Sequence, residues 1–181
     1  MAMALSVPLY TVDDLEQFPN DGNRYELLEG VLLVTPAPGA PHQLVASRIM
    51  SRLFGALMDP GIAHVVGPGA VVRMPRTQLE PDILVYPSRF PPTTDWRKID
   101  EHWLAVEVLS RSSRLYDREF KRNAYFTLGV QSVWLVDRHE GYIEVCRDPG
   151  AGEIMRDRFE WVTPADVAVS IDVIDIFAGM V

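Results

Sequence analysis

Residues 102–110, HWLAVEVLS, constrain the fold more than any other stretch of the chain. Side chains of a strand alternate between its two sides, and this run is apolar on both. Such a strand belongs in the middle of a sheet whose two faces are covered. Glu107 interrupts the run. An ionised carboxylate in apolar surroundings is costly unless something pairs with it or coordinates it. The stretch that demands a layered sheet therefore also demands a partner for Glu107.

Periodicity supplies the remaining elements. TVDDLEQF (11–18) predicts a short helix with Thr11 as its N-cap. RYELLEGVLLVTP (24–36) predicts a hairpin turning at Glu29–Gly30. From Pro41 to Met58, Val45, Ile49, Leu53 and Leu57 recur every fourth position, which gives a core-facing helix stopped by Asp59–Pro60–Gly61. Strands are expected at 62–66, 69–74 and 81–86, followed by a Pro-rich loop over 86–100. A helix is expected over 115–128, with Phe120, Ala124 and Leu128 as its apolar stripe and Gly129 ending it. Strands at 132–137 and 142–147 form a hairpin, and SIDVIDIF closes the chain as a short helix capped by Ser170. The order predicts a mixed sheet flanked by helices, an α/β or α+β fold in a single domain over 1–181. Residues 102–137 form its right-handed strand–helix–strand crossover.

Composition bounds the function classes. The lone Cys146 excludes an intramolecular disulfide and a cysteine-rich zinc site, and it fits a reducing compartment. No apolar run is long enough for a membrane span, and MAMALSVPLY lacks a basic signal-peptide start, so a soluble, cytoplasmic protein is expected. The net charge of -8 argues against a broad nucleic-acid-binding face. The charge is unevenly spread: residues 139–181 carry nine acidic and three basic side chains, whereas 107–122 carry five basic and three acidic ones. A local basic surface beside Glu107 is thus compatible with the sequence.

Two carboxylates stand in strand-like runs, Glu107 and Asp82, the latter opening PDILVY after Pro81. On neighbouring strands they would repel each other unless a cation lay between them, and two carboxylates with a main-chain carbonyl and waters suit magnesium. Asp82 also fits a solvent-facing turn, and Glu107 also fits an edge strand or a pair with an arginine such as Arg73. Lys121 lies beside the apolar stripe of its helix, at i+4 from Asp117 and i−4 from Tyr125. It could pair with Asp117 on the surface or reach over the sheet toward Asp82 and Glu107. Glu26, in the first hairpin strand, and His42, in the first turn of the long helix, are further candidates. No P-loop, GxGxxG or Gly-x-Ser-x-Gly elbow occurs.

The ordered set RYELLEG, PxPxxxHQ, EPDILVY, LAVEVLSRSS and DREFKRNAYFTLGVQSVWLVD resembles the Uma-two family of endonucleases, within the PD-(D/E)XK or restriction-endonuclease-like superfamily. The resemblance runs from about Tyr10 to Val136. It implies a mixed-sheet nuclease core and an Mg²⁺ or Mn²⁺ site held by Asp82, Glu107 and the main-chain carbonyl of Val108, with Glu26 nearby. The superfamily's short motif has a lysine two residues after the glutamate, where this chain has Leu109, and the family pattern supplies Lys121 from the next helix instead. The expected activity is phosphodiester hydrolysis in nucleic acid, DNA first. Arg111, Arg114, Arg118 and Arg122 are candidate phosphate contacts, and a homodimer is compatible with the resemblance. Two rival readings stay open, a nuclease-like binding module without turnover and a metal-independent hydrolase using the carboxylate pair.

Overall fold

The computed structural model describes residues 8–110 and 117–180, the side chain of Asp117 excepted. Its centre is a six-stranded mixed sheet in the order β10-β9-β8-β7-β6-β3. These strands are β3 (Ala63–Val66), β6 (Ile83–Pro87), β7 (Leu104–Val108), β8 (Val133–Asp137), β9 (Tyr142–Cys146) and β10 (Glu153–Met155). The apolar run of the opening argument is β7, and it is central as expected, antiparallel to β6 and parallel to β8.

Both faces of β7 are covered, which is why its five residues are all buried. Leu104, Val106 and Val108 point into a core shared with Val45, Ile49 and Leu53 of α1 (Ala40–Leu53). The same core takes in residues of the C-terminal hairpin β11 (Arg158–Val162) and β12 (Ala168–Asp172) and of helix α3 (Val173–Phe177). Ala105 and Leu109 point the other way, into a core with Leu79 and Tyr125. That second face is covered by a four-stranded sheet of order β2-β1-β5-β4 and by helix α2 (Arg122–Thr127). The strands of the smaller sheet are β1 (Arg24–Leu28), β2 (Val31–Thr35), β4 (Val71–Arg73) and β5 (Thr77–Leu79). Glu107 shares the second face by alternation, so it points into the space between the two sheets and the helix.

Most expected elements are present, β10 and β11 are additional, and three further differences stand out. β5 is three residues long and flanked by loop, too short to show a period, and the smaller sheet closes through it. The terminal helix begins only at Val173, because Ala168–Asp172 pair with β11; its cap is Asp172, which accepts the Asp175 amide at 3.2 Å, and Ser170 lies within the strand. The third difference concerns the helix after β7. Its described part opens with a π turn at Asp117–Lys121 before α2, and Phe120 is 53% exposed while Lys121 and Tyr125 are buried. The wider π turn rotates the residues ahead of α2 relative to a regular α-helix. The face turned to the sheet therefore carries the lysine and tyrosine, not the phenylalanine.

Candidate active site

The register of the central sheet brings the two carboxylates together. Ile83 pairs with Val106 and Leu84 with Ala105, so one step further along the same register Asp82 stands opposite Glu107 on one face. β6 begins only at Ile83, which leaves the Val108 amide without a ladder partner on that side. Asp82 Oδ2 accepts it at 2.8 Å. In a strand, the carbonyl of a residue points the same way as its amide, so the Val108 carbonyl is turned toward the same edge. Gly67 makes room here, since a Cβ on it would lie 2.6 Å from the Asp82 carbonyl oxygen.

Asp82 is held by two more groups. Arg24 Nη2 donates to its Oδ1 at 3.0 Å, and His42 Nε2 lies 3.1 Å from Oδ2. His42 is two residues past the start of α1, whose N-terminal turn therefore faces the carboxylate. Burial pushes the Asp82 carboxyl up, but the His42 contact, the Arg24 charge and the Val108 amide together hold it below the usual aspartate value.

Glu107 is gripped from the helix. Tyr125 donates its hydroxyl to Glu107 Oε1 at 2.6 Å, and Lys121 Nζ reaches the same oxygen at 3.2 Å. The ammonium also lies 2.8 Å from Glu26 Oε2, off the axis of a hydrogen bond, so that contact is ionic. Glu26 is fully buried on β1, and its Oε1 accepts the Glu80 amide at 2.7 Å. Arg24 closes the ring by donating Nη1 to the Glu80 carbonyl at 2.8 Å. Burial works against the Arg24 charge, but Asp82, Glu107 and Glu26 outweigh it and raise its pKa above the ordinary arginine value. The Glu80 carboxyl is pushed up, first by burial and also by the Glu26 charge.

These groups line a cavity of about 180 Å³. Arg24, His42, Asp82, Glu107, Val108 and Lys121 all contribute to its wall, together with the Thr35–Gly39 loop, Ser110 and Arg138. Asp82, Glu107, Lys121, Glu26 and His42 are thus brought to one place. Arg118 and Arg122 are not: they bind Glu144 on β9, Arg118 at 3.0 Å to Oε2 and Arg122 at 3.5 Å to Oε1, and Arg118 also reaches the Tyr142 hydroxyl. Arg111 and Arg114 lie outside the described residues, as does the side chain of Asp117. Arg73, the alternative partner for Glu107, donates instead to the Thr127 carbonyl at 2.6 Å.

Arg24 and Tyr125 are the site residues that sequence reasoning passed over. The i+4 step from Lys121 to Tyr125 was a usable signal, because two residues so spaced share a helix face. Arg24 carried none, since its partner Asp82 is 58 positions away.

The donor chemistry fits a hard divalent cation. Asp82 and Glu107 offer carboxylate oxygens, and Oδ1 of Asp82 accepts only one bond from the described residues, with lone-pair capacity to spare. Among the described residues no three His, Cys, Asp or Glu side chains gather closely enough to cage a metal. That is a poor setting for zinc and an ordinary one for Mg²⁺ or Mn²⁺, which keep several waters. Among the described residues no helix is long and apolar enough to cross a bilayer.

Comparison with known proteins agrees with this architecture. A solved structure titled "Crystal structure of a putative nuclease belonging to DUF820 from Anabaena variabilis ATCC 29413" superposes with a TM-score of 0.74, covering 95% of this chain and 99% of the other at 19% identity. That likeness is one of fold. No curated protein matches the chain. Residues 12–171 match the sequence profile of the Uma2 family, described as "Putative restriction endonuclease", and the chain belongs to that family.

Proposed function

We propose that the chain is an Mg²⁺- or Mn²⁺-dependent endonuclease that hydrolyses phosphodiester bonds in nucleic acid, with DNA as its substrate. The observation that carries this reading is the buried Lys121 ammonium, which lies within 3.2 Å of both Glu26 and Glu107 in a cavity that Asp82 also lines. Burying so many charges is expensive for stability alone, since desolvation of each ion costs several kcal/mol. Buried charges gathered in a cleft are the pattern that marks a candidate functional site.

Asp82, Glu107 and the Val108 carbonyl would hold the cation. Bound there, it would supply Lewis acidity, neutralising charge on the scissile phosphate and acidifying water. Lys121 carries three ammonium protons on a flexible stem and would orient the attacking water and stabilise charge developing on the phosphoryl oxygens. Tyr125 fixes the Glu107 carboxylate through its hydroxyl. Glu26 keeps the ammonium aimed into the site.

The test is cleavage of plasmid and oligonucleotide DNA with Mg²⁺ or Mn²⁺ by wild type, Glu107→Ala and Lys121→Ala. Wild-type cleavage abolished by EDTA and lost in both variants is expected. Equal rates in all three would defeat the mechanism. A second reading, a binding module without turnover, is favoured by the net charge of -8 and by the three donors already on Asp82. Calorimetry with Mn²⁺ separates the two, because a module that has lost the metal site takes up no heat at millimolar metal.

A further inference from the structure

The cavity contains a cation that the hydrolytic scheme above does not use. Arg24 stands at the start of β1, with its side chain 18% exposed, and it lines both the catalytic cavity and a separate groove bordered by Tyr25, Gln78 and Trp96. Arg24 therefore forms part of the wall between the two. Among the described residues two of its five N–H donors are engaged, one by Asp82 Oδ1 and one by the Glu80 carbonyl. A planar fork with donors to spare, facing a cavity, is the geometry that recognises phosphate oxygens in pairs.

Charge balance says when it would do so. Without a divalent ion, the Arg24 charge offsets the buried Asp82 carboxylate. A divalent ion on Asp82 and Glu107 would take over that role and leave the guanidinium as excess positive charge beside the cavity. A backbone phosphodiester carries the single negative charge that restores the balance.

We propose that Arg24 grips a backbone phosphate of the nucleic acid, and that Asp82 holds it until a divalent cation takes its place. This rests on the nuclease reading and adds to it a substrate-binding residue. Arg24 and the cation are then competitors for Asp82, while Arg24 and the phosphate are partners. Removing the guanidinium charge strengthens one interaction and weakens the other, a pair of opposite changes that damage to the site cannot produce.

The experiment uses the full chain and two probes, Mn²⁺ by calorimetry and a labelled phosphorothioate DNA duplex, which resists cleavage, by anisotropy in the presence of Mn²⁺. Arg24→Gln should bind Mn²⁺ about tenfold more tightly, because a unit positive charge near the ion is gone. It should bind the duplex about tenfold more weakly, with the slope of log affinity against log salt reduced by about one. Arg24→Lys keeps the charge and loses the fork. It should keep Mn²⁺ affinity within about twofold of wild type while still weakening duplex binding. Weaker Mn²⁺ binding in either variant would mean that Arg24 only shapes Asp82, and would overturn the proposal. So would an unchanged duplex affinity and salt slope. If Arg24→Gln does not fold, the lysine variant decides by the same two readouts. Wild type that binds Mn²⁺ but no duplex overturns the phosphate role and leaves the metal site standing. Wild type that binds neither removes the nuclease reading itself, and this inference with it.

Discussion

Tyr125 shows how much one hydroxyl can matter. Its ring is fully buried in the core beneath the smaller sheet, and its only polar atom lies 2.6 Å from Glu107 Oε1. Tyr125→Phe keeps the ring and its packing, so the change isolates the hydrogen bond. Bonds to charged groups contribute about 1.5–3 kcal/mol, and urea denaturation should show a loss in that range. The second expected effect is on Glu107 itself. With Lys121 as its remaining helix partner, the carboxylate is less fixed, and Mn²⁺ affinity by calorimetry should fall about tenfold, as for other groups that orient a metal ligand. A variant that loses stability while its Mn²⁺ affinity is unchanged would show that Tyr125 serves the core and not the site. Glu107 itself stood out because a charge in LAVEVL contradicts the pattern around it, whereas spacing left Lys121 open between a surface pair with Asp117 and the sheet, and only the family resemblance pointed it to the site. Arg24 was not legible, since an arginine at a strand start is ordinary and its partner Asp82 lies 58 positions away.

At the level of elements, the central strand was readable because both its faces are apolar, and the hairpin β1–β2 because Glu29 and Gly30 form a tight turn with positive φ at both residues, 51° and 84°. The closure of the smaller sheet was hidden, since β4 and β5 are three residues each and the pairing of β5 with β1 is a long-range choice. The described part of the helix after β7 keeps Ala124 and Leu128 against the core as expected but turns Phe120 outward, because an α-helical period cannot foresee a π turn. The end of β3 carries the element-scale prediction. Gly67 follows it directly, and a Cβ there would meet the Asp82 carbonyl oxygen at 2.6 Å and Met50 Sδ at 3.2 Å. The first neighbour is backbone and cannot swing aside. Gly67→Ala should therefore push the start of β6 away, at the 1–3 kcal/mol typical of an overpacked interior. It should also shift Asp82 relative to Glu107 and lower metal-dependent cleavage by more than tenfold, since ångström displacements are that costly in a site. Unchanged cleavage alongside reduced stability would place the strain elsewhere.

Across the whole molecule, two buried groups should make stability fall with acid in two separate windows. His102 is 2% exposed, and neither ring nitrogen has a hydrogen-bond partner among the described residues. Burial lowers its pKa to about 4, against 6.5 for a free histidine, with Asp100 and Glu101 only partly offsetting the effect. Because the folded value lies below the unfolded one, the unfolded chain binds the proton first as pH falls. Stability is then complete above about 6.5 and declines down to about 4, by roughly 3 kcal/mol in all. Asp82 acts later. Its carboxyl is held below the usual 3.8, so the stability it contributes is present above that value and is lost as pH falls further through the depressed one. His102→Leu should therefore flatten the stability curve between pH 6.5 and 4 and leave the steeper fall below pH 3.8 intact. Asp82→Asn should make the fall below pH 3.8 shallower and leave the upper window intact. Urea denaturation at half-unit pH steps measures both. A wild-type curve that is flat from pH 6.5 to 4 would show that His102 finds a partner for its proton in the folded chain.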